Sequence, residues 1–491
     1  MPTSDRPLPE RSLDPQDWEA FRALSHRAVD DMVDWLRQRD DEPAWREVPD
    51  EVAEALSEPL APGGETEEAI YADFLETVLP YSLGNTHPRF FGWVHGSGTP
   101  IGALSGFLAA TMNANLGGRA QAPVLVERQV LDWARELFGF PSGSGGILLS
   151  GTSMATVVGL AVARHRATGG RDRVEGVQDM PRLVGYTSSE AHNSIAKAFE
   201  LLGLGSDALR EIPVDAEGGL DPEQLERAVR EDRAAGHHPF AVVATVGSVN
   251  TGGFDDLETL RRVADRHDLW LHVDGAFGAA AQLSPRFAPI LRGIDEVDSL
   301  AFDFHKWLQV PYDAGCVLIR DGELHRATFE SRRDYLTSQE SGAASGEPWF
   351  CDFGPELSRG FRALKVWFTL RHYGTERLGQ MVERSCDQAT RLGARVEAEA
   401  ELELMAPVTL NVVCFRYRAP TASPEELDRL NREILIELHE QGLAVPSPTR
   451  VGGRFALRVC ICNHRTGPED IDALAEATLA IGQEVSGLVA V

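Results

Sequence analysis

Between about residues 95 and 320 the sequence alternates short apolar runs with amphipathic stretches of helical periodicity. The apolar runs read GILLS, RLVGYTS, AVVATVG, LWLHVDG, VDSLAF and GCVLIRD, in chain order. Amphipathic stretches at 152–167, 193–203 and 221–234 separate several of them. This alternation predicts an α/β fold whose largely parallel sheet is covered by helices on both faces. Ligands of such sheets bind at the carboxyl ends of the strands.

The flanking regions have different patterns. Residues 14–39 and 66–79 have helical periodicity but contribute little apolar surface of their own, so residues 1–90 are predicted to form a helical arm that packs on another surface. The large domain is predicted over 91–375, and it contains the long polar segment 330–350, which we interpret as a mobile lid.

The C-terminal part of the chain is predicted to be a separate small α/β domain at 376–491. A long helix is predicted over 357–373 before it. The runs LNVVCFRYR and FALRVCIC then alternate with helical stretches at 424–442 and 468–484.

Charge and composition exclude several classes of protein. The 491 residues have a net charge of −28, which disfavours binding to nucleic acids or to anionic membranes. No run approaches the ~18 apolar residues of a membrane span, and the N-terminus lacks the pattern of a signal peptide. The six cysteines are interpreted as reduced thiols, and no metal site is predicted. A cytoplasmic protein is therefore expected.

Lys306 follows an apolar run in the segment FDFHKW. A buried, unpaired ammonium costs several kcal/mol, so a lysine at the end of a core strand needs an explanation. Asp274, in HVDGAFG, precedes it by about one strand–helix–strand unit, which allows both side chains to lie at the same sheet edge. A lysine that extends to solvent and an aspartate that caps a turn are the alternatives.

Three further polar groups follow apolar runs. Thr152 and Ser153, in LLSGTSMAT, stand at a strand-to-helix junction that suits a phosphate, although a plain helix cap is an alternative. His192 and Thr245 follow two other runs, and each alone is compatible with a structural role. Together, a phosphate cradle, a histidine, a buried aspartate and a desolvated lysine amine indicate pyridoxal 5′-phosphate (PLP).

With these groups, the sequence resembles the group II PLP-dependent amino-acid decarboxylases, which include aromatic-L-amino-acid, glutamate, histidine and tyrosine decarboxylases. The motifs that carry the resemblance are HPRFFGW, VERQVLDW, HVDGAFG, HKW, FRALKVWF and LRVCICNHR. The resemblance implies PLP fold-type I, like aspartate aminotransferase. It also implies a homodimer with active sites at the subunit interface and N-terminal arms wrapped around the partner subunit.

The resemblance also assigns roles to individual residues. Lys306 is the lysine that forms the Schiff base, Asp274 pairs with the pyridinium nitrogen, and His192 and Ala276 cover the two faces of the ring. The phosphate is held by Thr152 and Ser153 with help from His305. Thr245 lies near the cofactor's 3-oxygen or the substrate carboxylate. Tyr335 of the lid protonates the substrate carbon. Trp93, His95 and Tyr312 match positions that line the substrate pocket in this family.

Three positions depart from the family pattern. Asp303 stands where animal aromatic decarboxylases carry an asparagine near the phosphate, so either it turns away or a protonated His305 screens it. Gly117 and Arg119 stand where those enzymes carry large aromatic residues, so the pocket is wider or Arg119 meets a carboxylate. The substrate identity depends on these positions.

The predicted function is α-decarboxylation of an L-amino acid, with an aromatic substrate favoured. An acidic substrate paired with Arg119, a basic substrate and decarboxylation coupled to aldehyde synthesis are the alternatives. An aminotransferase and a non-enzymatic homologue are the other classes considered.

Overall fold

A computed structural model describes residues 13–60, 62–215, 217–331 and 338–489. Its strands are β1 Gly145–Leu149, β2 Leu183–Ser188, β3 Leu209–Ile212, β4 His238–Thr245, β5 Trp270–Asp274, β6 Ser299–Asp303, β7 Gly315–Ile319, β8 Leu402–Leu404, β9 Val412–Tyr417, β10 Ser447–Val451 and β11 Arg454–Cys460. Its helices are α1 Trp18–Arg37, α2 Asp50–Ala55, α3 Glu67–Asp73, α4 Pro100–Met112, α5 Ala122–Phe138, α6 Thr152–Thr168, α7 Asp172–Glu175, α8 Ser194–Leu201, α9 Pro222–Ala234, α10 Leu257–Arg266, α11 Gly322–Phe329, α12 Arg362–Ala398, α13 Pro424–Glu440 and α14 Pro468–Val489.

The central sheet has seven strands in the order β1-β7-β6-β5-β4-β2-β3. Strands β3, β2, β4, β5 and β6 pair in parallel, whereas β7 is antiparallel to both of its neighbours, β6 and β1. Every residue of β1, β2, β5, β6 and β7 is buried. Near-continuous apolar strands are typical of a sheet covered on both faces, and the predicted α/β class is confirmed.

The strand order gathers the sequence motifs at one edge of the sheet. Because β4, β5 and β6 are parallel neighbours, their last residues Thr245, Asp274 and Asp303 reach the same edge. Thr245 pairs with Asp274 and Asp274 pairs with Ala301, so β6 extends beyond β5 to Asp303. The antiparallel β7 begins at the same edge, where Gly315 pairs with Asp303. Adding a Cβ to Gly315 would place it 2.4 Å from Gly151 Cα, so the missing side chain lets the loop before α6 approach the sheet closely.

The C-terminal region contains a second, antiparallel sheet in the order β10-β11-β9-β8. Its helix α13 begins with a capping box in which Ser423 and Glu426 exchange hydrogen bonds. The helix predicted over 357–373 begins later and runs much further, over Arg362–Ala398, with non-helical dihedral angles at Gly374. That interruption lies beside the predicted boundary at 375, and the division at 1–90, 91–375 and 376–491 stays a prediction.

Helices α1 and α4 both leave apolar side chains exposed. None of the residues in α1 is buried, and Trp18 is 59% exposed. In α4, Phe107 is 55% exposed and Met112 is 56% exposed. The exposed face of α1 is what an arm that packs on another surface would have, whereas α4 lies outside the predicted arm, and the arm itself stays a prediction.

Candidate active site

A cavity of about 530 Å³ lies at the carboxyl edge of the central sheet. Most of the residues singled out from the sequence line it: Trp93, His95, Thr152, Ser153, His192, Thr245, Asp274, Ala276, His305, Lys306 and Tyr312. They come from strand ends or from the segments that follow them, together with the segment before α4. Polar groups that are distant in sequence are therefore brought together by the parallel topology.

Lys306 is paired with an acid in this structure. Its Nζ lies 3.2 Å from Asp303 Oδ2, and the other carboxylate oxygen of Asp303 accepts the backbone N–H of Thr152 at 2.7 Å. His305 is further away, with Nε2 at 3.7 Å from Asp303 Oδ2. Burial lowers the pKa of His305, so protonated His305 is not the main counter-charge of Asp303. The Asp303 carboxylate therefore points toward the cavity and is neutralised by Lys306.

Asp274 is almost completely buried, with 4% of its surface exposed. Its Oδ1 accepts the N–H of Ala276 at 3.1 Å. Burial raises the pKa of Asp274, and the positive charge of Lys306 opposes that rise. A buried carboxylate at this place suits a cationic partner inside the cavity.

His192 is held in one orientation by Ser194. The Nδ1 atom accepts the backbone N–H of Ser194 at 3.2 Å and lies 2.8 Å from its hydroxyl oxygen. Burial lowers the pKa of His192, although the nearby Asp274 opposes this effect. An Nδ1 acceptor places the proton of the neutral ring on Nε2. Ser194 was not predicted as a site residue, although it stands two residues after the histidine in the segment AHNS.

The rings on the outer side of the cavity form a continuous group. Trp93 and His95 stack with centroids 5.8 Å apart, and His95 meets Tyr312 edge-on at 6.1 Å. Tyr312 in turn lies 4.4 Å from the ring of His305. Trp93 and Tyr312 are 45% and 48% exposed, so their rings offer apolar surface to a molecule that enters the cavity.

Two predicted residues are not placed in this group. Arg119 is not among the residues that line the cavity, because its guanidinium stacks over the ring of Trp349 at 4.0 Å. Tyr335 lies outside the described residues, as does part of the segment interpreted as a lid, so both assignments stay predictions.

The cavity fits a phosphate-bearing cofactor. Within the described part of the chain, the buried hydroxyl oxygens of Thr152 and Thr245 have no hydrogen-bond partner. Buried polar atoms normally have partners, and Thr152 is also the first residue of α6, where backbone N–H groups favour an anion. The lysine, the buried aspartate and these two hydroxyls match the groups that PLP requires.

Comparison with known proteins identifies the family. Residues 49–418 match the model of the pyridoxal-dependent decarboxylase conserved domain, which is most of the chain. The chain belongs to the pyridoxal-dependent decarboxylase family. It is a PLP-dependent decarboxylase, and the central sheet described above is that of a fold-type I enzyme.

The relatives of this decarboxylase cover nearly its whole length. It is 30% identical over 474 residues to an aromatic-L-amino-acid decarboxylase of Bacillus atrophaeus, covering 95% of this chain and 96% of the relative. Among solved structures, Oryza sativa TDC with PLP and tryptamine has a TM-score of 0.89 at 27% identity, covering 96% and 100% of the two chains. The 4-hydroxyphenylacetaldehyde synthase of Rhodiola rosea has a TM-score of 0.85 at 28% identity, covering 96% and 100%.

No helix in the described ranges is long and apolar enough to cross a membrane.

Proposed function

We propose that this decarboxylase removes the α-carboxylate of an aromatic L-amino acid and releases the corresponding amine and CO₂. The observation that carries the proposal is the ring group of Trp93, His95 and Tyr312 beside Lys306. Within the described residues of a single chain, the cavity lining contains no arginine. An acidic substrate would need such a cation for its second carboxylate, so this lining favours an aromatic side chain.

The residues that would hold PLP follow from the donor set. Lys306 would bond to its aldehyde carbon, and Thr152 and Ser153 would hold its phosphate at the start of α6. Asp274 would keep a proton on its ring nitrogen, with His192 and Ala276 against the two faces of the ring. When bound, PLP supplies an electron sink for the carbanion left by the departing CO₂.

The protein's own groups would prepare the substrate for that step. Thr245 has an unpartnered hydroxyl that would donate to the 3-oxygen of the cofactor or to the substrate carboxylate. Burial lowers the pKa of His95, and the positive charge of Lys306 lowers it further, so its neutral ring would pack against an aromatic substrate. Tyr335 would return a proton to the substrate carbon.

The decisive experiment measures products from a panel of L-amino acids. The purified holoenzyme should release one CO₂ and one amine for each aromatic substrate consumed, without consuming oxygen. Release mainly from glutamate or aspartate would contradict the substrate proposal. Stoichiometric hydrogen peroxide with an aldehyde would instead favour the chemistry named for the Rhodiola rosea relative.

We also propose that the chain works as a homodimer. The exposed apolar residues of α1 and α4, among them Trp18 and Phe107, support this proposal because single chains seldom leave such faces in water. Light scattering during gel filtration should give twice the mass of 53.7 kDa. The same mass from the Phe107→Glu variant would contradict a role of α4 in the interface.

A cytoplasmic location is proposed as well. All six cysteines are free thiols, and the sulfur atoms of Cys460 and Cys462 lie 3.3 Å apart without a disulfide. Free thiols are typical of reducing compartments. Fractionation of the native cells should place the protein in the cytoplasmic fraction.

A further inference from the structure

Asp303 lies between the start of α6 and Lys306. It is the last residue of β6 and is 4% exposed. One carboxylate oxygen accepts the Thr152 N–H at 2.7 Å, and the other lies 3.2 Å from Lys306 Nζ. A single acidic side chain thus contacts both the start of α6 and the lysine that would bond to the cofactor.

The place that Asp303 occupies is the one that suits the cofactor's phosphate. A helix N-terminus binds phosphate through its free backbone N–H groups, and Thr152 provides the first of these in α6. The Thr152 hydroxyl is buried beside it without a partner among the described residues. The carboxylate is therefore an anion beside the position where a second anion would bind.

The surroundings hold Asp303 in this position. Strand β6 pairs with β7 at Asp303 and Gly315, and Gly315 is packed against Gly151 so closely that a Cβ would not fit. The nearest histidine, His305, accepts the Ala314 N–H at its Nδ1, so its neutral ring carries the proton on Nε2, 3.7 Å from Asp303. Among the described residues, the nearest cation to Asp303 is Lys306, with its Nζ at 3.2 Å.

We propose that Asp303 weakens cofactor retention, because it neutralises Lys306 in the cofactor-free protein and repels the phosphate of PLP in the loaded protein. Both effects favour the cofactor-free form, so this decarboxylase exchanges its cofactor more readily than it would with a neutral amide at this position. The inference rests on the proposed roles of Lys306 and Thr152.

The test compares Asp303→Asn with a charge-conserving variant, Asp303→Glu, and a matched control, Asp298→Asn. Asp298 precedes the same strand at its other end, accepts the Leu271 N–H at 2.7 Å and pairs with Arg261 at 2.7 Å, so it has the same kinds of contact far from the cavity. The dissociation constants of PLP and of pyridoxal, which lacks the phosphate, are measured for each protein by titration of the cofactor's absorbance. Thermal midpoints are measured with and without PLP.

Asp303→Asn should bind PLP about tenfold more tightly, while its affinity for pyridoxal changes by less than about threefold. Its thermal midpoint without PLP should fall, and the increase caused by PLP should become larger than in the wild type. Asp303→Glu should not gain affinity, and Asp298→Asn should show the wild-type increase with PLP.

Two results would overturn the inference. Unchanged or weaker PLP affinity in Asp303→Asn would show that the carboxylate does not oppose the phosphate. An equal gain for PLP and pyridoxal would show that the effect arises at Lys306 alone. A Lys306→Ala variant that binds PLP as tightly as the wild type would instead contradict the proposed site, which separates the two failures.

Discussion

Asp255 accepts the backbone N–H of Thr245 at 2.6 Å and thereby fixes the end of β4 at the cavity. Its other carboxylate oxygen accepts the N–H of Leu220, also at 2.6 Å. Asp255 is 3% exposed, and it is a positioning residue that sequence reasoning missed. The segment TGGFDDL showed two adjacent acids without indicating that one of them is buried.

We predict that Asp255 lowers the folding stability of the chain as the pH rises through the weakly acidic range. Burial raises its pKa to about 6 from 3.8, so the unfolded chain releases this proton first as the pH increases. The free energy of unfolding therefore falls progressively between about pH 4 and pH 6, by about 3 kcal/mol in total. For a chain of this size that corresponds to about 3 °C in the thermal midpoint.

Asp255→Asn is the comparison that isolates this effect. The variant loses one acceptor bond at every pH, but its stability relative to wild type should improve from pH 4 to pH 6 and stay constant above that. Thermal midpoints of both proteins across this range provide the measurement. A difference that does not change with pH would show that Asp255 keeps an ordinary pKa in the folded protein.

Lys306 is predicted to be the single site of covalent cofactor attachment. The chain has only three lysines, Lys197, Lys306 and Lys365, so borohydride reduction of the holoenzyme followed by peptide mass analysis gives an unambiguous result. The mass of the reduced cofactor should appear on the Lys306 peptide alone. Lys306→Ala should lose it together with at least about a thousandfold in kcat, whereas Lys197→Ala should keep it. Label on Lys365 would refute the assignment.

Trp93 is predicted to recognise the substrate ring. Trp93→Ala should raise KM for aromatic substrates about tenfold to a hundredfold, because the variant removes the largest ring of the pocket and such contacts are worth about 1–3 kcal/mol. Trp367→Ala is the matched control, since its indole donates to Gln129 at 2.8 Å, away from the cavity. Equal changes in the two variants would indicate a general loss of stability.

Ser194 is predicted to position His192. Ser194→Ala removes the hydroxyl that lies 2.8 Å from His192 Nδ1 and should lower kcat about fivefold to tenfold, with little change in PLP affinity. Ser194→Thr retains the hydroxyl and should restore most of the activity. If threonine and alanine behave alike, the hydroxyl has no part in holding the ring.

Some features of this decarboxylase could be predicted from local sequence. The core strands are continuous apolar runs, and amphipathic stretches with good caps, such as Asp221 followed by Pro222 in α9, begin where the pattern indicates. The edge strand β3 was missed because LREI is only four residues long, with charged residues at its two central positions. The start of α12 was placed too early, because Gly360 interrupts the helical pattern that the residues of 357–373 otherwise suggest.

The sequence by itself determined which chemical groups this protein has: one lysine after a core strand, an acid one unit before it and a strand-to-helix turn suited to phosphate. The motifs around them also determined the family. Only the tertiary structure decided how those groups face one another, since parallel pairing of β4, β5 and β6 aligns residues far apart in the chain. In the folded chain Asp303 pairs with Lys306 and accepts the N–H of Thr152, and Arg119 stacks on Trp349. These contacts depend on side-chain packing, which a local sequence pattern does not record.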